Sequence, residues 1–215
     1  MALSSRVIPA ILTDDSAALQ SMIHLVEKFT DYAQVDIMDG KFVPSRSIGV
    51  TQLSRFPERL KWEAHLMVVK PQDYLVDLKQ AGGKRVIFHY EATDKPQEIV
   101  TMARNYGLEV GLALNPETPV AAIFPLAQIL DSVLFMSVNP GYYGAPFLPQ
   151  VLEKIIEFRA TYPEFEIGID GGVKESNIGD IARSGVDYIC VGSAIFLQPD
   201  PAESFRRLTK LAQGI

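Results

Sequence analysis

The sequence predicts a single (β/α)8 barrel, and three observations carry that prediction. Short apolar runs alternate along the whole chain with segments of helical spacing. Strict βα alternation with continuously apolar strands means a parallel sheet covered by helices. Eight such units fit in 215 residues, which suits one closed barrel better than an open doubly wound sheet. No Gly-x-Gly-x-x-Gly follows the first strand, so a dinucleotide-binding open sheet loses its main support. No linker or low-complexity stretch divides the chain, and residues 1–215 are read as one domain.

The units follow in order. A first strand is expected over residues 6–12, then the Asp14-Asp15-Ser16 cap and an amphipathic helix to Phe29. Residues 33–38 form the second strand, before a loop from Gly40 to Gly49 and a short helix over 50–56. The third strand spans 61–67, and the helix over 71–81 begins with Pro71 in its first turn. Gly82-Gly83 closes that helix ahead of the fourth strand, 85–89. A helix over 95–106 stops at Gly107, where a left-handed residue is favoured. The fifth strand, 108–114, leads through Asn115-Pro116 to a helix over 120–124. The sixth strand, 132–137, is followed by a long Gly/Pro/Tyr loop and a helix over 148–161. The seventh strand, 165–169, precedes a helix over 175–184, and the eighth, 186–191, precedes the last helix, 201–211.

Composition narrows the function. The chain is 47% hydrophobic and 21% charged, ordinary for a soluble globular protein, and at this length folding hides roughly 70% of the unfolded surface. Net charge is −6, with Lys and Arg scattered, so the basic footprint of a nucleic-acid binder is missing. That does not exclude a small anionic substrate, because backbone amides bind phosphate locally. No run approaches the roughly 18 apolar residues of a membrane span, and the residues from Met1 to Arg6 lack the apolar stretch of a signal peptide. A cytoplasmic protein without a membrane partner is expected. Cys190 is alone and sits in the apolar run Tyr188-Ile189-Cys190-Val191; it is read as a buried structural thiol.

In a barrel of this type the site lies at the C-terminal strand ends. Gln34, Asp36 and Met38 share a parity on the second strand and point the same way. The other strand ends bring His65 and Met67, His89, Met136 and Asp170. Asp36, His65 and Asp170 are positioned to gather around one ion or one substrate. Each also has a plainer role open to it: a strand-end Asp caps the next helix, and a lone His packs. His89 is read as a packing histidine beside Glu91. Met38, Met67 and Met136 are either core filling or an apolar floor that shifts the pKa of the acids beside it. The glycine-bearing loops Asp170-Gly171-Gly172-Val173 and Val191-Gly192-Ser193-Ala194 follow the seventh and eighth strands, where many barrels hold phosphate. The loop Asn139-Pro140-Gly141-Tyr142-Tyr143-Gly144 is placed to close over a third side.

These motifs together resemble a known family. The segment from Val35 to Pro44, His65-Leu66-Met67, the run from Met136 to Gly141, Asp170-Gly171-Gly172-Val173 and the run from Gly192 to Phe196 resemble ribulose-phosphate 3-epimerase. The run from Pro9 to Leu12, that from Ala113 to Pro116 and that from His89 to Ala92 fit as well, so the likeness runs from about Val7 to Phe196. The resemblance implies interconversion of D-ribulose 5-phosphate and D-xylulose 5-phosphate on a barrel carrying a divalent metal. Its acid/base aspartates correspond to Asp36 and Asp170, and three of its four metal ligands to Asp36, His65 and Asp170. Its phosphate-gripping loops correspond to Gly141, Tyr142, Tyr143 and Gly144, to Gly171-Gly172 and to Gly192-Ser193, and the strand-end His65, Met38, Met67 and Met136 are read as substrate contacts beside them. Relatives of this kind assemble as homo-oligomers.

The chain departs from the family at the site. The fourth metal ligand, a histidine, is replaced by Gln34, which is expected to offer an amide oxygen. A substrate-contacting serine is replaced by Ala10, Tyr143 breaks a glycine pair, and Ala145-Pro146 replaces a more polar dipeptide. Among Mn²⁺, Mg²⁺, Zn²⁺ and Fe²⁺, a set of two carboxylates, one imidazole and one amide leans from Zn²⁺ towards Mn²⁺ or Mg²⁺. Two alternatives stay open at this point: a relative that binds a sugar phosphate without turnover, and a lyase or decarboxylase on the same barrel. The second is weakened because the third strand carries no Asp-x-Lys.

Overall fold

The computed structural model describes residues 5–57, 59–141 and 144–215. The strands are β1 (Arg6–Ile11), β2 (Tyr32–Met38), β3 (Lys61–Met67), β4 (Arg85–His89), β5 (Glu109–Leu114), β6 (Ser132–Met136), β7 (Glu166–Asp170) and β8 (Tyr188–Val191). Each pairs in parallel with the next, and β8 closes on β1 with Ile8 opposite Cys190. The α-helices are α1 (Ser16–Val26), α2 (Leu75–Gln80), α3 (Pro96–Asn105), α4 (Val151–Thr161), α5 (Ile178–Arg183), α6 (Ser193–Phe196) and α7 (Pro201–Gln213). The predicted (β/α)8 barrel is therefore the fold.

Several connections differ from the expected helices. The segment Val120–Ile129 is a 3-10 helix about twice as long as the expected α-helix, with Pro125 inside it. Proline has no N–H to give and its ring crowds the preceding turn, which works against α-helix there. Val50–Arg55 and Pro71–Tyr74 are 3-10 helices too. A 3-10 turn, Tyr90–Ala92, and the short helix α6 were not expected. Helix α4 begins at Val151, after a tighter turn in which the N–H groups of Val151 and Leu152 bond the carbonyls of Leu148 and Pro149.

Strand alternation sorts the core into two shells. One set of side chains, with Trp62, Phe88, Phe135 and Phe158 fully buried, fills the layer between barrel and helices. Burial of a large apolar side chain contributes about 1.5–3 kcal/mol. The other set, including Ile8, Ala10, Ile87, Leu134 and Cys190, fills the barrel itself.

The N-terminal end of the barrel is plugged by charge. Arg85 meets Glu63 at 3.4 Å, Glu109 at 3.2 Å and Glu166 at 2.6 Å. Tyr32 donates its hydroxyl to Glu63 Oε2 at 2.8 Å. Tyr188 lies across the interior, with room for its ring only because position 168 is glycine: a Cβ there would stand 2.1 Å from the ring. Burial pushes the Glu63 carboxyl up to about 7, against the opposing effect of the Arg85 charge. The Oε1 of Glu63, the hydroxyl of Ser132 and that of Tyr188 are buried without a hydrogen-bond partner among the described residues. The opposite end stays open, and the polar strand ends gather there.

Candidate active site

The site begins on β2, where Gln34 and Asp36 face the barrel interior and Asp36 lies in register with His65 of β3. Across the barrel, Asp170 at the end of β7 lies in register with Met136 of β6 and Cys190 of β8. The four polar groups Gln34, Asp36, His65 and Asp170 are buried, Gln34 and His65 completely. His65 Nδ1 is 3.0 Å from Asp36 Oδ1 and 3.4 Å from Asp170 Oδ2. Gln34 Nε2 donates to Asp170 Oδ2 at 2.7 Å and to Asp36 Oδ1 at 3.1 Å. Barrel closure thus brings together the two acids and the histidine that the sequence singled out.

Their protonation follows from this packing. Burial, and then the charge of Asp170, raises the Asp36 carboxyl above its ordinary range. Burial disfavours a charged His65, but the hydrogen bonds to Asp170 and Asp36 outweigh it and lift the imidazole to about 9. His89, buried and next to that charge, is lowered. Its Nε2 is 3.0 Å from His65 Nε2, so it supports the site from behind His65. Burial raises the Cys190 thiol well above its usual value, which keeps it an S–H donor.

The expected apolar surround is present. Met38 and Met67 pack with Val43, Leu12 and Phe42 over the mouth, and Met136 tops the interior cluster. Together with Asp36, Asp170 and Ala10 they line one cavity, which Gly141, Gly144, Gly171, Gly172, Gly192 and Ser193 complete. Tyr142 and Tyr143 lie outside the described residues. The left-handed backbone at Gly172, φ +63°, sets it against Phe147, whose Cα would be 2.9 Å from an added Cβ. Ser137 fixes this loop by donating its hydroxyl to the carbonyls of Asp170 and Gly171 at 3.0 and 2.7 Å. Asp39 serves the loop after β2, accepting backbone N–H groups from Lys41, Phe42 and Val69.

The donor set fits a divalent cation in part. One ligand atom each from Asp36, His65 and Asp170 lies within 4.8 Å of the others, and two carboxylates with one imidazole suit such an ion. Gln34 departs from expectation. It turns its NH2, not its oxygen, towards the carboxylates, and its Oε1 accepts from Cys190 Sγ at 3.1 Å. The cause is electrostatic: the amide oxygen would otherwise face two carboxylate oxygens. Cys190, read as an inert packing thiol, therefore touches the site. The signal for it was parity, since Cys190 stands two residues before Gly192.

Comparison with known proteins bears on this geometry. Residues 6–196 match the family described as the ribulose-phosphate 3 epimerase family. The ribulose-phosphate 3-epimerase of Schizosaccharomyces pombe is 36% identical over 205 residues, covering 93% of this chain and 90% of the relative. The cytoplasmic isoform of ribulose-phosphate 3-epimerase from Oryza sativa subsp. japonica is 36% identical over 220 residues, covering 99% and 96%. Among solved structures, a 3-hexulose-6-phosphate synthase superposes with a TM-score of 0.72 at 15% identity, covering 96% of this chain and 99% of that one. That likeness speaks to the barrel alone.

Proposed function

The chain belongs to the ribulose-phosphate 3-epimerase family, and from that premise we propose that it interconverts D-ribulose 5-phosphate and D-xylulose 5-phosphate. The observation that carries this reading is the meeting of Asp36 and Asp170, from β2 and β7, in one cavity. Inverting a carbon needs a base to take the proton from one face and an acid to return one to the other. Burial and the Asp170 charge raise the Asp36 carboxyl, so that a proton gained by one acid of the pair during turnover is readily held there. That leaves one carboxylate to abstract and one carboxylic acid to donate, with the roles exchanged in the reverse direction.

Asp36, His65 and Asp170 are the residues that would hold a divalent ion. Such an ion supplies Lewis-acid stabilisation to the charge that develops on the substrate oxygens. The methionines Met38, Met67 and Met136 keep water from the reacting carbon, and a drier site strengthens every electrostatic contact in it. The backbone N–H groups of Gly171-Gly172 and Gly192-Ser193, with the loop bearing Gly141 and Gly144, are assigned to the phosphate.

The test is epimerisation of ribulose 5-phosphate in D2O, with Mn²⁺, Mg²⁺, Zn²⁺, Fe²⁺ or no added ion. Wild type is expected to form xylulose 5-phosphate with deuterium at C3. D36N and D170N should each lose roughly 10²- to 10⁴-fold in turnover. Sugar-phosphate binding without turnover under every ion would refute an epimerase. We also assign the protein to the cytoplasm and to a homo-oligomer. No helix among the described residues is long and apolar enough to cross a membrane, and Leu197, 70% exposed, offers an apolar contact. Fractionation and sedimentation check both.

A further inference from the structure

Granted the two-base epimerase reading, we propose that Gln34 is a positioning residue: its amide, oriented by Cys190, clamps Asp36 and Asp170 and does not coordinate the metal. Every polar group of the side chain is committed. The nitrogen donates to Asp170 Oδ2 at 2.7 Å and to Asp36 Oδ1 at 3.1 Å, and the oxygen accepts from Cys190 Sγ at 3.1 Å. Turning the amide over would set its oxygen 2.7 and 3.1 Å from two carboxylate oxygens and its NH2 against an S–H donor. The orientation is thus fixed from both ends.

The framework around Gln34 is built for this span. β1 lies between β2 and β8 in the barrel, so the contact from Gln34 to Cys190 crosses β1. Ala10, the β1 residue paired with Gln34, presents only a methyl, which leaves the span open and offers no rival hydrogen bond. Gln34 itself is fully buried, beneath the cavity that Asp36 and Asp170 line. It acts on substrate only through the two carboxylates.

Two consequences follow from chemistry. The oxygens that Gln34 bonds are the ones that face His65 Nδ1, so a cation placed among those three groups meets the positive end of the amide dipole. The protein then supplies three donors to the ion. The clamp also fixes the spacing of the acid and the base, and a misplacement of about 1 Å in such groups costs roughly 10²-fold in rate.

The experiment measures Mn²⁺ affinity by calorimetry and steady-state kinetics for wild type, Q34M, Q34H and C190V. Methionine fills much of the same volume without a donor or a hard ligand. In Q34M, Mn²⁺ Kd should stay within about threefold of wild type or tighten. Turnover should fall roughly 10- to 100-fold, with KM for ribulose 5-phosphate within about threefold. Q34H, which supplies an imidazole donor, should bind Mn²⁺ more tightly than wild type. C190V, which frees the amide, should lower kcat and leave KM in place. Weakening of Mn²⁺ binding by tenfold or more in Q34M would make Gln34 a ligand and overturn the proposal. Unchanged kcat in Q34M would overturn it equally, and unchanged kcat in C190V would remove the role of the thiol.

If Q34M does not fold, ¹⁵N-labelled wild type decides. The Gln34 side-chain N–H pair should keep the downfield shifts of N–H bonded to carboxylates in saturating Mg²⁺, and an upfield move of both would show that the amide turns to the ion. Wild-type turnover in the same buffer separates the two readings: an inactive wild type sinks the epimerase reading, while the ion titrations still decide what Gln34 does.

Discussion

The Nε2 atoms of His65 and His89 stand 3.0 Å apart, so one ring gives a proton and the other gives a lone pair. Burial, with the neighbouring His65 charge, holds His89 neutral, which makes His89 the acceptor. Its Nδ1 then points to Glu91 Oε2 at 3.4 Å, too long for a full hydrogen bond. Glu91 is itself held by Asn115 N–H at 2.9 Å and by the Thr118 hydroxyl. The row leaves the Nδ1 of His65 directed at the two aspartates. H89F removes the acceptor and orphans His65 Nε2–H. Mn²⁺ affinity and turnover should each fall roughly 10- to 100-fold, and H89Q, with an amide oxygen in reach, should recover part of both. Calorimetry and steady-state kinetics on the pair of variants check this.

Ion binding should release a proton. His65 is lifted to about 9 by its hydrogen bonds to Asp170 and Asp36, so below that pH an incoming ion displaces hydrogen from Nδ1. Apparent Mn²⁺ affinity should rise by up to about tenfold per pH unit and level off near pH 9. Calorimetry in buffers of different ionisation enthalpy should count about one proton per ion at pH 7.5. A count of zero would mean that the ion leaves His65 alone.

The plug at the far end of the barrel has its own pH signature. Glu63 rises to about 7, mainly through burial, so between the ordinary carboxyl range and pH 7 the folded chain holds more protons than the unfolded one. Linkage then makes stability fall as pH increases through that window. The contribution is present in full below about pH 4.5 and amounts to about 3 kcal/mol. E63Q, with no proton to lose there, should flatten the fall. Urea unfolding of both proteins from pH 5 to pH 8 measures it.

Gly172 can be tested alone. Its φ of +63° and the 2.9 Å separation from Phe147 backbone atoms leave no room for a methyl. The left-handed conformation alone costs alanine about 1–2 kcal/mol. G172A should displace the loop assigned to the phosphate and raise KM for ribulose 5-phosphate roughly tenfold, the equivalent of one charge-assisted hydrogen bond. A G172A protein that folds and keeps its KM would move the phosphate elsewhere.

Much of this was legible in the chain, for reasons that residues make plain. β3 and β4 were read to the residue, because apolar Trp62, Ala64 and Leu66 alternate through the first and Gly82-Gly83 precedes the apolar Val86-Ile87-Phe88 of the second. Asp36, His65 and Asp170 were found because strand parity and a C-terminal position are local properties. The segment over Val120–Ile129 looked like the start of an ordinary helix, and Pro125 shaped it otherwise. The amide orientation of Gln34 was out of reach: it depends on Cys190, 156 residues away, and on the register with which the barrel closes. His89 packs beside Glu91 as expected, but at 3.4 Å it lacks the hydrogen bond expected there, and its contact with His65 needed the β3–β4 pairing.

Among the described residues, the charged plug around Arg85 and Tyr188 leaves the barrel with a single doorway. A molecule that enters past Met38 and Met67 has to back out the same way, and the next one waits until it has gone. Product and substrate therefore contend for one entrance, and each should slow the other in direct competition, in both directions of the reaction. A hydrogen lifted from substrate is confined by the same geometry. It trades places with water only when the doorway is empty, whereas the departing product carries the hydrogen that the opposite aspartate held.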